Sequence, residues 1–431
     1  MEITILLILI ISFFGLLALG VPVAYSLGIS TALTLAAAVL PLSAVTTVAQ
    51  RIATGIDSFT LLAIPFFVLA GELMNQGGIA KRLVDFAKAL LGSLPGGLAY
   101  VNVLAAMLFG AISGSSVAAA SAIGGIMIDR MEEEGYERDY SAAVNLAAST
   151  TGLIIPPSNI LIVYSLASGG ASIAALFLAG YIPGIIVGLS LIGVAAFVAF
   201  KRNYPREALA SIGEIFRQLI TAIPSLLLLV IIIGGIVGGI FTATEAAAIA
   251  VLYALILALI YGEIGLKNIP GILLNASRTT SIVMFVIGAS IAMSWVLAFL
   301  EIPQNMTQFL LGLSQNKVVI LLLINLILLV VGTFMDITPA VLIFTPIFLP
   351  VVVELGMDPV HFGIIMVLNL CIGLCTPPVG TILFVGSSVA KVPVTQVIKP
   401  LIPLLIAMIV ALFLITYIPQ LSLWLPGIFG F

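Results

Sequence analysis

The chain has 431 residues, of which 62% are hydrophobic and only 8% are charged, and its mean hydropathy is +1.33. Soluble domains have about 45–50% apolar and about 25% charged residues, so the composition excludes a soluble protein and predicts a multi-pass helical protein in a lipid membrane. The formal net charge of −3 and the scattered basic residues argue against binding of nucleic acid.

Apolar stretches that are long enough to cross a bilayer, about 20 residues each, recur along the chain. The predicted spans are 3–19, 22–40, 59–75, 140–168, 173–200, 220–240, 244–262, 279–299, 360–389 and 398–425. Two further apolar stretches, 97–128 and 318–353, are split by small polar residues into halves of about 15 residues, too short for a full span. They are predicted to form re-entrant helical hairpins. Two amphipathic segments, 78–93 and 303–315, suit helices that lie along the membrane interface.

The same unusual pattern occurs once in each half of the chain. Gly110–Ser116 is followed by Thr151–Pro157, and Gly332–Thr338 is followed by Ile372–Pro378. Each copy places small polar residues, and then a double proline, within apolar sequence. Broken helices are tolerated in a membrane where the freed backbone lines a protein cavity. Paired breaks in two repeats are typical of a transport site.

This pattern predicts an all-α polytopic membrane protein built from two inverted-topology repeats. Each repeat would have about five spans plus one hairpin, and an odd number of crossings inverts the second repeat relative to the first. With the N-terminus outside, 13 of the 15 Lys and Arg residues lie on the inner side, as the positive-inside rule requires. The predicted parts are a first repeat at 1–200 (hairpin about 97–128, broken helix about 140–168), a cytoplasmic linker at 201–219, and a second repeat at 220–431 (hairpin about 318–353, broken helix about 360–389).

The double prolines indicate what the broken helices can bind. Two adjacent prolines remove two N–H donors and disrupt the bonds of the preceding carbonyls, which leaves oxygens around Gly152 and Ile155 free to bind a cation such as Na⁺. The half-helix that begins at Ser158 and Asn159 presents free N–H groups to an anion. The segment Thr376–Thr381 repeats this arrangement. Coupled uptake of a carboxylate with sodium fits these features, and purely structural proline kinks are the alternative.

Polar residues at the two hairpin tips have two interpretations each. Ser113, Ser115 and Ser116 either bind a ligand or permit close helix packing. An unpaired carboxylate inside a membrane is costly and usually functional. Asp336 either neutralises a bound cation or caps the half-helix that starts near Thr338.

Two other acids have structural interpretations. Glu72 is predicted to reach Lys81 or Arg82, and Glu245, after Thr242, is predicted to cap a helix. The sequence has no GxxxxGK[ST] loop for ATP, no voltage-sensing helix or carbonyl filter, and no nucleophile–base pair or metal cluster. These features argue against an ATP-driven pump, a channel and an enzyme.

Several long motifs, in the same order, carry a resemblance to a known family over essentially the whole chain. They are Ala63–Gly71, Gly110–Val117, Ile154–Ser158, Phe241–Ala246, Gly332–Asp336 and Cys375–Gly380. The chain resembles the large membrane subunit of tripartite ATP-independent periplasmic (TRAP) transporters. The resemblance implies sodium-driven secondary uptake of an organic acid, such as a dicarboxylate, sialic acid or another sugar acid. It also implies a location in the bacterial cytoplasmic (inner) membrane. The N-terminus, which the basic residues place outside, would then be periplasmic.

The resemblance further implies an elevator mechanism, in which the hairpins and broken helices slide as a block. The implied partners are a periplasmic substrate-binding protein and a separate, small four-helix membrane subunit. One sodium ion would bind among Ser113, Ser116, Gly152, Ile155 and Pro157, and a second among Gly332, Thr338, Thr376 and Pro378. The residues expected to contact the substrate are Ser115, Ser158, Asn159, Asp336, Gly380 and Thr381.

Two other classes of transporter would share these features. A stand-alone sodium–carboxylate symporter would have a similar broken-helix site without the partner subunits. A cation/proton antiporter would need a buried titratable acid, for which Asp336 is the candidate.

Overall fold

The structure is a computed structural model that describes residues 2–206 and 209–431. Within these ranges the chain forms 20 α-helices and no β-strand, which confirms the predicted all-α class. The predicted linker at 201–219 includes Glu207 and Ala208, which lie outside the described residues.

The helices of the first half begin near the N-terminus and end just before the predicted linker. They are α1 (Glu2–Ala18), α2 (Val23–Ala38), α3 (Pro41–Ile56), α4 (Ala63–Gln76), α5 (Ile79–Leu91), α6 (Gly97–Ser113), α7 (Ser116–Glu133), α8 (Arg138–Ser149), α9 (Asn159–Ala167) and α10 (Ile173–Arg202). Short 3-10 turns at Phe59–Leu62 and Thr150–Leu153 precede α4 and follow α8.

The helices of the second half follow the linker. They are α11 (Ile212–Val237), α12 (Ala243–Ile260), α13 (Ile269–Phe299), α14 (Ile302–Leu313), α15 (Lys317–Phe334), α16 (Ile337–Glu354), α17 (Pro359–Leu374), α18 (Thr381–Ala390), α19 (Val394–Tyr417) and α20 (Gln420–Ile428).

Among the described residues, eight helical segments are long and apolar enough to cross a membrane. They are Phe59–Gln76, α10, α11, α12, α13, α15, α16 and α19. The protein is therefore a multi-pass membrane protein. The predicted span at 398–425 is divided into α19 and α20, because Pro419 has no N–H to donate and disfavours a helical conformation at Ile418.

Both predicted hairpins consist of two helices with a short connection. Helices α6 and α7 are joined by Gly114 and Ser115, and helices α15 and α16 are joined by Met335 and Asp336. Each of the four helices has 17 or 18 residues, more than the predicted 15. In α7 the difference arises because the helix continues through charged residues to Glu133. The relation of the two halves as inverted repeats stays a prediction.

Both double-proline segments interrupt their helices. Helix α8 passes into a 3-10 turn and then into irregular backbone before α9 begins at Asn159. Helix α17 ends at Leu374, and α18 begins at Thr381. Both X–Pro bonds, Pro156–Pro157 and Pro377–Pro378, are cis. The chain thus has two stretches of non-helical backbone, of which the first is buried and the second is partly exposed.

Helices α4 and α13 separate these broken elements from the outer helices. Helix α4 packs against α12 and α13, and α13 also packs against α2 and α3. The opposite sides of α4 and α13 contact the broken elements, since α4 touches α6, α7 and α9 and α13 touches α16. We call α4 and α13 the wall helices.

Candidate functional site

In each half of the chain, one pair of glycines packs the hairpin closely against its broken helix. A Cβ atom on Gly110 in α6 would lie 2.5 Å from the Cα atom of Gly152, in the 3-10 turn after α8. A Cβ atom on Gly373 in α17 would likewise lie 2.5 Å from the Cα atom of Gly332 in α15. The backbones meet at distances that only glycine allows. Each tip therefore lies beside the break that follows it in sequence.

The first tip contacts the first break directly. A Cβ atom on Gly114, between Ser113 and Ser115, would be 3.0 Å from the carbonyl oxygen of Pro157. The Ser115 hydroxyl caps α7 by accepting a hydrogen bond from the Ala118 N–H at 3.2 Å. The Ser113 hydroxyl donates to the Ser115 carbonyl at 3.4 Å. The tip is therefore a compact, polar turn against the irregular backbone.

The first break presents carbonyl oxygens without donors. Within the described residues, the carbonyls of Ile154, Ile155 and Pro157 accept no hydrogen bond. The Ser158 hydroxyl donates to the Leu153 carbonyl at 2.6 Å, so this predicted substrate contact is used inside the break. The Asn159 Oδ1 atom is buried without a partner. Buried acceptors of this kind need a donor, a water molecule or a cation.

The second tip and the second break are also joined by hydrogen bonds. The Thr381 hydroxyl, at the start of α18, donates to Asp336 Oδ1 at 3.5 Å. The Gly380 N–H donates to the carbonyl of Thr333 at 3.3 Å. Asp336 occupies the N-cap position of α16, and its carboxylate interacts with the N–H groups of Ile337 and Thr338. It therefore contributes to the start of α16 and, through Thr381, joins the second tip to the second break.

The two breaks differ in their exposure to solvent. Pro157 is buried, whereas Pro378 in the second break is exposed. The hydroxyl of Thr376 donates within its own helix end, to the carbonyl of Ile372 at 2.7 Å. The second group of predicted sodium ligands is thus less enclosed than the first.

One cavity of about 410 Å³ lies between the two tips, the two half-helix starts and the wall helices. Its polar lining includes six residues that the sequence assigned to sodium or substrate: Ser115, Ser116, Asn159, Asp336, Thr338 and Thr381. Nine other predicted site residues are not part of this lining: Ser113, Gly152, Ile155, Pro157, Ser158, Gly332, Thr376, Pro378 and Gly380. The structure therefore brings residues from both halves together in one cavity. Their roles as ligands stay predictions.

The wall helices supply cavity residues that the sequence did not predict. On α4 these are Ile64, Val68, Glu72 and Asn75, whose spacing follows one helix face. On α13 they are Thr279 and Val283. A sequence signal existed in Glu72, an acid within an apolar span, but it was assigned to a salt bridge.

Glu72 does not form that salt bridge. Among the described residues it has no ion pair and no hydrogen bond. The guanidinium of Arg82 donates instead to the Gly78 carbonyl at 2.9 Å and lies 3.6 Å from the ring centre of Tyr261. The cation–π contact and the carbonyl hold the guanidinium away from Glu72.

The prediction for Glu245 is confirmed. Its carboxylate accepts hydrogen bonds from the N–H and the hydroxyl of Thr242 at 2.8 and 2.9 Å. Its own N–H donates to the Thr242 hydroxyl at 3.2 Å. The two residues form a capping box at the start of α12.

A second polar cluster lies away from the cavity, where α10 enters the predicted linker. The Glu137 carboxylate, in the connection between α7 and α8, accepts hydrogen bonds from Arg202 and Tyr204. The Tyr204 ring stacks on Tyr136, with ring centres 4.0 Å apart. Burial raises the pKa of the Glu137 carboxyl, but the hydrogen bonds from Tyr204 and Arg202 outweigh it, and the pKa lies below its ordinary value. The cluster fastens the start of the linker to the base of the first hairpin.

Comparisons with known proteins identify the chain as similar to membrane transporters. The family model described as "Tripartite ATP-independent periplasmic transporter, DctM component" matches residues 10–421. A Salmonella typhimurium relative, named as the uncharacterized protein YgiK, is 55% identical, with 97% of this chain and 96% of that protein covered. The C4-dicarboxylate TRAP transporter large permease protein DctM of Pseudomonas aeruginosa is 42% identical, with 94% of each chain covered. The sialic acid TRAP transporter large permease protein SiaM of Vibrio cholerae is 41% identical, with 97% of this chain and 98% of that protein covered.

A solved structure supports the fold independently. The YdaH transporter of Alcanivorax borkumensis has a TM-score of 0.62 at 12% identity, with 89% of this chain and 88% of that chain covered. At this identity the similarity concerns the fold alone. The family match and the full-length relatives carry the assignment. The chain therefore belongs to the DctM component family of tripartite ATP-independent periplasmic transporters, whose members are transporter permeases and not enzymes.

Proposed function

We propose that this chain carries out sodium-coupled secondary uptake of an organic acid across the bacterial inner membrane. The substrate would be a dicarboxylate, sialic acid or another sugar acid. The observation that carries the proposal is the single cavity of about 410 Å³ between both hairpin tips and the starts of α9 and α18. Its size lies in the range of small-molecule sites, about 300–1,000 Å³. Half-helix starts that point into a cavity favour an anionic group.

Sodium coupling is supported by the oxygen atoms beside the cavity. The carbonyls of Ile154, Ile155 and Pro157 have no donor among the described residues, and a desolvated cation would satisfy such oxygens. In the second half, Asp336 places a carboxylate on the cavity, whose described lining contains no Lys, Arg or His. We assign the first ion to the predicted set around Ser116 and the second to the predicted set around Thr338.

Transport by the family's tripartite arrangement requires two further proteins. We propose that a periplasmic binding protein delivers the substrate and that a small four-helix membrane subunit supports the wall side. The N-terminus would be periplasmic, because this orientation places 13 of the 15 basic residues inside. The two inverted repeats would move the hairpins and broken helices as an elevator block against the wall helices α4 and α13.

Reconstitution tests the proposed function. The chain is purified with the co-encoded small subunit and placed in proteoliposomes, and uptake of radiolabelled organic acids is measured. We expect uptake only with an inward sodium gradient and a substrate-loaded binding protein. Uptake that needs neither would reject the proposal, and sodium-driven uptake without the binding protein would indicate a stand-alone symporter. Cation/proton exchange without carried acid, abolished in Asp336→Asn, would indicate an antiporter.

A further inference from the structure

The wall helix α4 places a carboxylate with no partner on the cavity. Glu72 lies on the same helix face as Val68 and Ile64, which are one and two turns away, and all three line the cavity. It is half-buried and has no hydrogen bond or ion pair among the described residues. A charged group in a membrane segment is costly and usually interacts with the transported species. A molecule bound in the cavity would therefore supply the partner that the Glu72 carboxylate lacks.

The charges and polar groups that line the cavity limit which molecules can bind to Glu72. The cavity residues that carry a formal charge are Glu72 and Asp336, and its described lining contains no Lys, Arg or His. The other polar lining groups are serine and threonine hydroxyls and the amides of Asn75 and Asn159. The proposed second sodium ion would offset the charge of Asp336. Glu72 lies on the wall helix α4, and the described lining offers it no cationic side chain.

A substrate that fits this wall must donate hydrogen bonds. At neutral pH an unsubstituted dicarboxylate carries two negative charges and only acceptor oxygens. It would leave the Glu72 carboxylate unpaired and repel it. A polyhydroxylated acid offers several O–H donors at one end and a single carboxylate at the other. Its hydroxyls satisfy Glu72 and Asn75, and its carboxylate lies away from them, toward the start of α9.

Resting on the proposed function, we propose that the cargo is a polyhydroxylated monocarboxylic acid of the sugar-acid class. Glu72 and Asn75 on α4 are the groups that accept hydrogen bonds from its hydroxyls. In this assignment α4 selects the cargo, the proposed sodium ions bind beside the tips, and the start of α9 binds the carboxylate. Specificity thus depends on a wall helix as well as on the broken helices.

The test uses the purified complex of the large and small membrane subunits in sodium chloride. Its melting temperature is titrated with D-gluconate and D-galacturonate as sugar acids and with succinate and fumarate as dicarboxylates. We expect sugar acids to stabilise the wild type at lower concentration than dicarboxylates do. Loss of a hydrogen bond to a charged acceptor costs about tenfold or more in affinity. Glu72→Gln is therefore expected to raise the half-saturating sugar-acid concentration about tenfold.

Two further variants keep the test decisive. Glu134→Gln, on the exposed turn after α7, is the matched charge control and should titrate like the wild type. Glu72→Asp keeps the charge and is expected to retain part of the sugar-acid affinity. It allows the inference to be tested even if Glu72→Gln does not fold. The inference is overturned if dicarboxylates stabilise the wild type at lower concentration than sugar acids do. It is equally overturned if sugar-acid affinity is the same in the Glu72 variants and the wild type. Sodium-driven dicarboxylate uptake would then leave the proposed function intact, whereas absence of uptake of any acid would reject both.

Discussion

The backbones of Gly110 and Gly152 touch, so that a Cβ atom on Gly152 would lie 2.5 Å from the Cα atom of Gly110. This contact joins the first hairpin to the first broken helix near the unbonded carbonyls. Gly332 and Gly373 form the equivalent contact in the second half. The proposed sodium sites would need each tip fixed relative to its break, and these two contacts link the tip to the break.

Alanine at either contact is expected to separate the tip from the break. In Gly152→Ala and in Gly373→Ala the new methyl group would meet backbone atoms at 2.5 Å, and overpacking of this kind costs about 1–3 kcal/mol. We expect a lower melting temperature in detergent and a large loss of sodium-driven uptake in proteoliposomes. Gly125→Ala in α7 is the control, because no atom lies within 4 Å of its Cβ position. A Gly152→Ala protein with normal uptake and stability would show that the contact is not required.

Asp336→Asn is expected to weaken sodium binding more than folding. The carboxylate lines the cavity and interacts with the N–H groups of Ile337 and Thr338 at the start of α16. The amide oxygen of asparagine can accept from the same N–H groups, so the substitution mainly removes a charge. We expect the half-saturating sodium concentration to rise about tenfold, which corresponds to about 1.4 kcal/mol. Glu354→Gln, at the other end of α16, should leave it unchanged. Equal sodium dependence in Asp336→Asn and the wild type would remove Asp336 from the proposed sodium site.

The parts of the site that the sequence predicted are those with a local chemical cause. A double proline breaks the interior of a helix, and Ile154–Ser158 and Cys375–Gly380 are both irregular in the structure. Small polar residues between apolar runs likewise predicted both tips. These features depend on the backbone of the segment itself, so no knowledge of tertiary contacts was needed.

The wall helices could not be assigned to the site in the same way. Helix α4 is apolar around most of its circumference, so its sequence does not show which face meets the hairpins. Glu72 has Lys81 and Arg82 nearby in sequence, but Arg82 turns to Tyr261, which is 179 positions away in the chain. Helix α3 was missed because Thr46, Gln50 and Arg51 interrupt its apolar residues, although it packs on α13. Long-range packing determines which helix face meets the hairpins and which partner each charged side chain contacts.

The linker contact of Glu137 is expected to depend on pH. Because its pKa in the folded protein lies below the ordinary value of 4.5, the charged carboxylate stabilises the contact with Arg202 and Tyr204. The contribution is fully present above that value and is lost as the pH falls below it toward the folded pKa. The group is largely exposed, so the effect is about 1 kcal/mol or less, which is about fivefold or less in a local equilibrium.

Hydrogen exchange of the peptide 199–206 measures this contact locally. At pH 7, Glu137→Gln should exchange faster than the wild type, and the ratio should shrink as the pH is lowered from 5 to 3, after correction for intrinsic rates. Glu133→Gln, at the end of α7, serves as the control with an unchanged ratio. A ratio that stays constant down to pH 3 would contradict a role for the charged form.

The buried hydrogen bond between Asn369 and Asn325 in the second half is expected to stabilise the folded protein. The amide of Asn369 in α17 donates to Asn325 Oδ1 of α15 at 2.8 Å, and the amide of Asn325 donates to the Thr416 hydroxyl of α19 at 3.3 Å. All three residues are buried. Asn369→Leu leaves Asn325 Oδ1 without a donor, which costs about 1–3 kcal/mol. Hydrogen bonds between membrane helices contribute only about 0.6 kcal/mol on average. We therefore expect the free energy of unfolding to fall by about 1 kcal/mol, the lower end of the range for an unpaired buried group.

A double-mutant cycle separates this contact from simple loss of packing. Removal of both partners avoids an unpaired buried group and can be nearly neutral. The protein with Asn369→Leu and Asn325→Leu should therefore lose less free energy of unfolding than the sum of the single variants. Reversible unfolding in mixed detergent micelles gives the three differences. If the losses add without coupling, each Asn acts through its own surroundings, and the hydrogen bond between α17 and α15 does not contribute to stability.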